Sequence, residues 1–204
     1  MNIEASRRER KKEAIRSKII VTAIDLFSKN GIDAVTVDEI AESADIGKGT
    51  IYNYFDTRED IIVAFIAQIE QEVQSKLRTF SSSKRRLDAI LTEFIRLQFR
   101  LKEPHYRFIR VFFGQMFFRT EQFLPYLVQM QQAVDPPIEQ LFRTLQAQAL
   151  MRTDFRFEDL VMSFKTTVMG LSALWAVEGP PFRATNRLVQ QQMKMFSDGI
   201  KAIS

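Results

Sequence analysis

The stretch Thr36 to Phe55, TVDEIAESADIGKGTIYNYF, leaves this chain few ways to fold. Thr36 followed three residues later by Glu39 is a capping box. The hydroxyl accepts an otherwise unpaired backbone N–H at a helix start, and the carboxylate reaches back to the cap's own N–H. Val37, Ile40, Ala41 and Ala44 then share one helical face, and the small Ala41 and Ala44 let a second helix cross close by. Ala44-Asp45-Ile46 reads as a turn, because Asp45 tolerates the left-handed backbone such a turn needs, and Gly47 is an acceptable cap for a helix beginning at Lys48. In that helix Ile51 and Phe55 point inward. Lys48, Thr50, Tyr52, Asn53 and Tyr54 make a polar front of ammonium, hydroxyl, amide and phenol groups suited to phosphates and base edges. This is the pattern of a helix-turn-helix with the second helix as reader.

Residues 19–62 as a whole resemble the DNA-binding domain of the TetR family of bacterial one-component transcriptional regulators. Ala23 to Phe27, Gly31, Thr36-Val37, Ile40-Ala41, Lys48-Gly49-Thr50, Tyr52, Tyr54-Phe55 and Arg58-Glu59 all fall in register. Asp45 stands where a glycine is common and Gly47 where a serine is common. The resemblance covers about the first third of the chain and implies an all-α protein. An N-terminal three-helix helix-turn-helix domain with a basic arm would occupy residues 1–60, and a helical-bundle domain for effector binding and dimerisation residues 61–204. It implies a ligand-responsive repressor that binds a palindromic double-stranded operator as a homodimer and is released by a small hydrophobic molecule. Positions equivalent to Lys48, Gly49 and Tyr52 face bases, and those of Thr50, Asn53 and Tyr54 approach phosphates. The resemblance also brings Thr36, at the preceding helix start, toward the backbone, although its capping role alone accounts for it. Asp38 is a poor partner for base or phosphate, which puts the family's contact from that position in question.

Charge is distributed against a simple electrostatic reading. The chain carries a net +4. Residues 1–18 hold seven cations against three acids, whereas residues 19–60 hold Lys29, Lys48 and Arg58 against nine acids. Phosphate attraction is therefore expected from the arm, Arg7 to Lys12 above all, entering an adjacent minor groove. The alternative is that these residues form only a solvated, disordered tail.

Other function classes lose their chemistry. There is no cysteine and a single histidine, His105, so thiolate sites and multi-histidine metal sites are excluded and no metal or cofactor is expected. Gly47-Lys48-Gly49-Thr50 lacks the upstream glycine and spacing of a phosphate loop. No catalytic residues are assigned and no enzyme is expected. The best uninterrupted apolar run, Val168 to Val177, is shorter than the ~18 residues a bilayer demands, and the N-terminus lacks the apolar core of a secretory signal, so a cytoplasmic protein is expected.

The remaining sequence reads as helices. The first runs to about Asn30 with Gly31 as its left-handed stop, and Thr57 with Asp60 caps a rod reaching roughly Phe80. Ser81-Ser82-Ser83 is a loop and Lys84-Arg85-Arg86 a solvated first turn. A helix from Leu87 breaks at Pro104, and another spans His105 to about Arg119. Pro136-Pro137 splits the next region into a short helix and Ile138 to Met151. Phe157 to Glu178 and Ala184 to Ile203 complete the set.

Two further assignments follow from spacing. Val189, Met193, Phe196, Ile200 and Ile203 form a seam at intervals of four and three, and Leu160, Phe164, Val168, Leu171 and Trp175 a stripe on the preceding helix. Together they predict a four-helix homodimer interface, against the plainer reading that both are ordinary core helices of a monomer. Eighteen phenylalanines suggest a pocket for an apolar or aromatic effector, with Phe94, Gln98, His105, Phe112, Gln115, Tyr126 and Met169 as candidate ligand-binding residues, against the plainer reading that each phenylalanine is core. Filling that pocket would shift the His105 helix and swing the rod beginning at Ile61.

Overall fold

Capping signals and apolar periodicity resolve into helices in the computed structural model, which describes residues 3–77, 86–118 and 120–201. In chain order these are α1 (Ile3–Asn30), α2 (Val37–Ser43), α3 (Lys48–Ile51), α4 (Arg58–Leu77), α5 (Leu87–Lys102), a 3-10 turn (Glu103–His105), α6 (Tyr106–Phe118), α7 (Thr120–Ala147), α8 (Phe157–Glu178) and α9 (Arg183–Ile200). Among the described residues there is no strand, only an isolated bridge between Met151 and Lys201. The fold is all-α. The expected end of the rod at Phe80, the serine loop, Lys84 and Arg85, Arg119 and Ile203 lie outside the described residues.

Up to the start of α4, the stops and starts are those the sequence specifies. Gly31 takes φ +85° and donates its N–H to the Phe27 carbonyl at 3.0 Å, ending α1. At the start of α4, Asp60 accepts the Thr57 N–H at 2.9 Å and Thr57 Oγ1 accepts the Asp60 N–H at 3.1 Å. The expected break at Pro136-Pro137 does not occur: α7 is continuous through Pro125, Pro136 and Pro137. Pro125 sits near the helix start, where a missing N–H costs little. At Pro136 and Pro137 tertiary packing overrides two lost backbone hydrogen bonds, because Met130, Ile138, Leu141, Phe142 and Leu145 are all buried and the helix lies chiefly along α4. Lys165 also anchors Asp135 from α8 at 2.5 Å.

The two predicted interface stripes are turned inward. Leu160, Phe164, Val168, Leu171 and Trp175 of α8 are buried within the protomer, as are Val189, Met193 and Ile200 of α9. Phe196 packs on Phe142 and Phe164 at centroid distances of 6.3 and 5.3 Å. Periodicity identifies apolar faces but does not say which one its own domain covers. Phe164 lies at the centre of this core, against Phe94 at 5.8 Å and Phe142 at 5.0 Å, and Trp175 stacks between Phe99 and Phe182. By length and composition α8 could cross a membrane, yet this whole stripe is covered by neighbouring helices.

A second aromatic column joins α1, α4 and α6. Phe108 of α6 meets Phe27 of α1 at 6.2 Å and Phe65 of α4 at 5.3 Å, and the His105 ring stands edge-on to Phe65 at 4.9 Å. The first helix, the rod and α6 thus converge on one side chain.

Because Phe164 is fully enclosed by three other rings, Phe164→Ala is expected to lower stability by about 3–5 kcal/mol. Urea unfolding followed by circular dichroism measures it, and a loss below about 1 kcal/mol would mean the site collapses around the void.

Candidate nucleic-acid interface

The reader begins with two caps in series. Thr36 has extended backbone and accepts the Glu39 N–H at 3.2 Å, while Glu39 accepts the Thr36 N–H at 2.7 Å. This donation from the backbone, followed by that of the Thr36 hydroxyl, holds the Glu39 carboxyl below its usual value. At the other end of α2, Asp45 adopts φ +50° and donates to the Glu42 carbonyl at 3.0 Å, and Ile46 donates to the Ala41 carbonyl at 2.9 Å. That pair of bonds is a Schellman motif with aspartate in the left-handed seat usually given to glycine. The departure at Asp45 therefore leaves the turn intact.

The reader helix is shorter than its polar pattern suggests. α3 holds one turn, Lys48–Ile51, started at Gly47 with no side-chain cap. Past Ile51 the coil tightens: Asn53 donates to the Thr50 carbonyl at 3.1 Å and Tyr54 to the Ile51 carbonyl at 2.9 Å. Ile51 and Phe55 are buried as expected. Lys48, Gly49, Tyr52 and Asn53 are exposed, Thr50 is half-buried, and Tyr54 is half-buried with its ring packed on the core. Thr36 is exposed beside them.

Asp38 gathers two of these groups. Its Oδ2 lies 2.9 Å from Lys48 Nζ and its Oδ1 accepts the Tyr52 hydroxyl at 3.3 Å. The Lys48 hydrogen bond lowers the Asp38 pKa and raises that of Lys48. Sequence reasoning sets Asp38 aside as a poor nucleic-acid contact and misses this role. The spacing of ten residues to Lys48 across the turn is a signal only once the crossing of the two helices is known.

The basic arm is not extended. α1 begins at Ile3, so Arg7, Arg8, Lys11 and Lys12 are exposed on a helix. A helix about 10–12 Å across is wider than a minor groove of about 6 Å, so entry there would require the start of α1 to unwind. A solvated tail with no secondary structure is overturned.

The seven candidate ligand residues do not converge. Phe94 is packed in the core, and Gln98 is buried, donating to Glu70 at 2.8 Å and accepting from Lys102 at 2.6 Å. His105 leans on Phe65, and burial lowers its pKa. Phe112 meets Phe108 and Phe113, and Gln115 donates to Asp33 at 2.9 Å. Tyr126 is half-buried on α7. Met169 is 45% exposed on the outer side of α8 and faces no interior. Between α4, α5 and α7 there is only a crevice of about 20 Å³, lined by Leu77, Ile90, Leu141, Leu145, Gln140, Thr144 and Gln148, too small for an effector. Local composition marks aromatic density, which these helices spend on core packing.

Residues 19–65 match the family described as bacterial regulatory proteins, tetR family. Over that segment, which holds the helix-turn-helix, the chain is similar to the TetR family. The biofilm operon icaADBC HTH-type negative transcriptional regulator IcaR of Staphylococcus aureus is 45% identical over 47 residues, 23% of this chain and 25% of that protein. The chain thus matches about a quarter of the length of such curated relatives. Likeness over the rest is one of fold. A TetR-family structure from Syntrophomonas wolfei superposes with a TM-score of 0.77 at 15% identity, covering 95% of this chain and 100% of that one. The TetR-family repressor FadR of Thermus thermophilus, solved with lauroyl-CoA, gives 0.67 at 19% identity, over 93% and 96%.

Loss of the Thr36 cap in Thr36→Ala is expected to destabilise the protein by about 1 kcal/mol in urea unfolding. Because the folded Glu39 value is depressed, its contribution is present above the unfolded value near 4.5 and fades as pH falls through the lowered one. Glu39→Gln should flatten that acid limb of the stability curve.

Proposed function

We propose that this chain is a transcriptional regulator that binds a palindromic operator as a homodimer, most simply as a repressor released by a small apolar molecule. The observation that carries the reading is the exposed front of Lys48, Gly49, Tyr52 and Asn53, fixed by a doubly capped α2 within the segment that matches the TetR family. In this reading residues 1 to about 60 form the DNA-binding unit, and α4, which starts at Arg58, carries it into the effector and dimerisation unit. Lys48, Gly49 and Tyr52 face bases, Thr50, Asn53 and Tyr54 approach phosphates, and the helical arm adds phosphate attraction from outside the grooves.

A second copy of the chain would cover the outer face of α8. Met162, Met169, Leu174 and Val177 are each about half or more exposed there, flanked by Gly170 and Ala173, which allow close approach. Two-fold pairing would set two readers toward successive major grooves. Effector control would run through α6, which touches both α1 and α4 at Phe108 and holds Asp33 through Gln115. The lauroyl-CoA in complex with the Thermus protein is a ligand with a long apolar part, the chemistry favoured here.

The test is selection of duplexes from a pool randomised over about three helical turns, followed by anisotropy binding. Enrichment of a palindrome is expected. Tyr52→Ala should weaken binding to the enriched duplex about tenfold or more while hardly changing binding to unselected duplex. Replacing Arg7, Arg8, Lys11 and Lys12 by Gln should lower the slope of log affinity on log salt by about 0.9 for each phosphate left without its cation. In sedimentation, the wild type should be a dimer at micromolar concentration and Met169→Asp a monomer. A monomeric wild type would remove the two-fold reading.

A further inference from the structure

We infer that Asp38 is a specificity-determining residue of the reader, holding Lys48 and Tyr52 back from phosphates so that sequence-independent binding is weakened more than binding to the cognate site. The inference rests on the DNA-binding reading above and deepens it. The carboxylate takes one donor on each oxygen, Lys48 Nζ at 2.9 Å and Tyr52 Oη at 3.3 Å. These are two of the three residues placed against bases, and both lie across the turn from Asp38.

A place in the first turn of α2 explains an acid at this position through the helix dipole, but not the convergence of two reader donors on it. Stability does not explain it either: Lys48 is 66% and Asp38 44% exposed at the side chain, and pairs so exposed contribute little. The consequence falls on approach to a duplex. A phosphate that draws Lys48 away leaves a bare carboxylate facing a polyanion, and every duplex imposes that penalty. Only a site that presents an exocyclic amino group, cytosine N4 or adenine N6, gives the carboxylate a new donor in the major groove. Binding that lacks this match is therefore penalised. Glu42 also lies close enough to favour the Lys48 charge, so the ammonium remains held on the acidic side of the front until a matching site releases it.

The experiment compares full-length wild type with Asp38→Asn on two probes across a salt series. One is the duplex enriched by the wild type and the other a duplex of unselected sequence. Asp38→Asn is expected to bind the unselected duplex about three- to tenfold more tightly, with a salt slope steeper by about one, as the freed ammonium neutralises a phosphate. The ratio of specific to unselected affinity should fall about tenfold. Asp38→Asn/Lys48→Gln should return the slope to the wild-type value, and Asp38→Ser should reproduce the Asp38→Asn direction with a different side chain. Circular dichroism and melting confirm that each variant is folded. An unchanged slope and ratio in both single variants, or an equal shift on both probes, would overturn the assignment while leaving the DNA-binding reading standing. A wild type that enriches no duplex would overturn both.

Discussion

A helix of one turn cannot support itself, and the reader of this protein is one turn long. Nucleating a helix fixes several residues for each hydrogen bond gained, so four residues in water would not hold their shape. What holds Lys48–Ile51 is burial of Ile51 and Phe55 on one side and a rigid neighbour on the other. The neighbour is rigid because α2, itself only seven residues, has the capping box at Thr36 and the Schellman turn at Asp45. Every polar group on the front inherits its position from those two caps and one isoleucine.

The same logic extends to the rest of the molecule. Arg58, at the first turn of α4, donates to the carbonyls of Ile32 and Asp33 at 3.1 and 3.0 Å and to the Asp33 carboxylate at 3.3 Å. Gln115 of α6 binds the other oxygen of that carboxylate at 2.9 Å. The loop that precedes α2 is thus clamped by the rod and by α6 together. Beneath it, Phe27, Phe65 and Phe108 tie α1, α4 and α6 into one aromatic column. Close-packed rings adapt in discrete repackings rather than by continuous yielding, so a displacement of α6 has only a short path to the reader.

The segment up to the start of α4 is legible in the sequence because its signals are local: Thr36 with Glu39, Gly31 after Asn30, Thr57 with Asp60. Each is a short-range hydrogen bond or backbone angle that the residue type nearly dictates. Beyond α4 the pattern of residues marks elements but not their neighbours. Leu160 to Trp175 and Val189 to Ile200 are apolar stripes in any reading, and only the placement of α5, α7, α8 and α9 around one another decides that they form core while Met162, Met169 and Val177 stay outside. Pro136-Pro137 misleads for the same reason, since a nonlocal contact with α4 outweighs a local preference. The effector pocket is the least legible part. Gln98 is polar and surrounded by apolar residues, as an effector contact would be, but its partner is the buried Glu70 on a helix 28 residues away in sequence.

The charge pattern then acquires a physical meaning. Residues 19–60 are net acidic, yet most of those acids are already engaged: Glu39 and Asp60 in caps, Asp33 with Arg58, Asp25 with Lys29, Asp38 with Lys48. A carboxylate paired with a cation presents a dipole, whereas Glu39 and Asp60, bonded to neutral donors, keep their charge, and salt screens the residual field within about 8 Å at physiological ionic strength. Repulsion of a duplex is therefore a close-range effect, felt mainly at the front itself. The exposed cations at the start of α1 lie outside that front, and on the proposed reading they would supply the attraction. On the DNA-binding reading proposed above, the grip of such a front would depend on whether the base edges answer the groups that α2 and α3 hold in place.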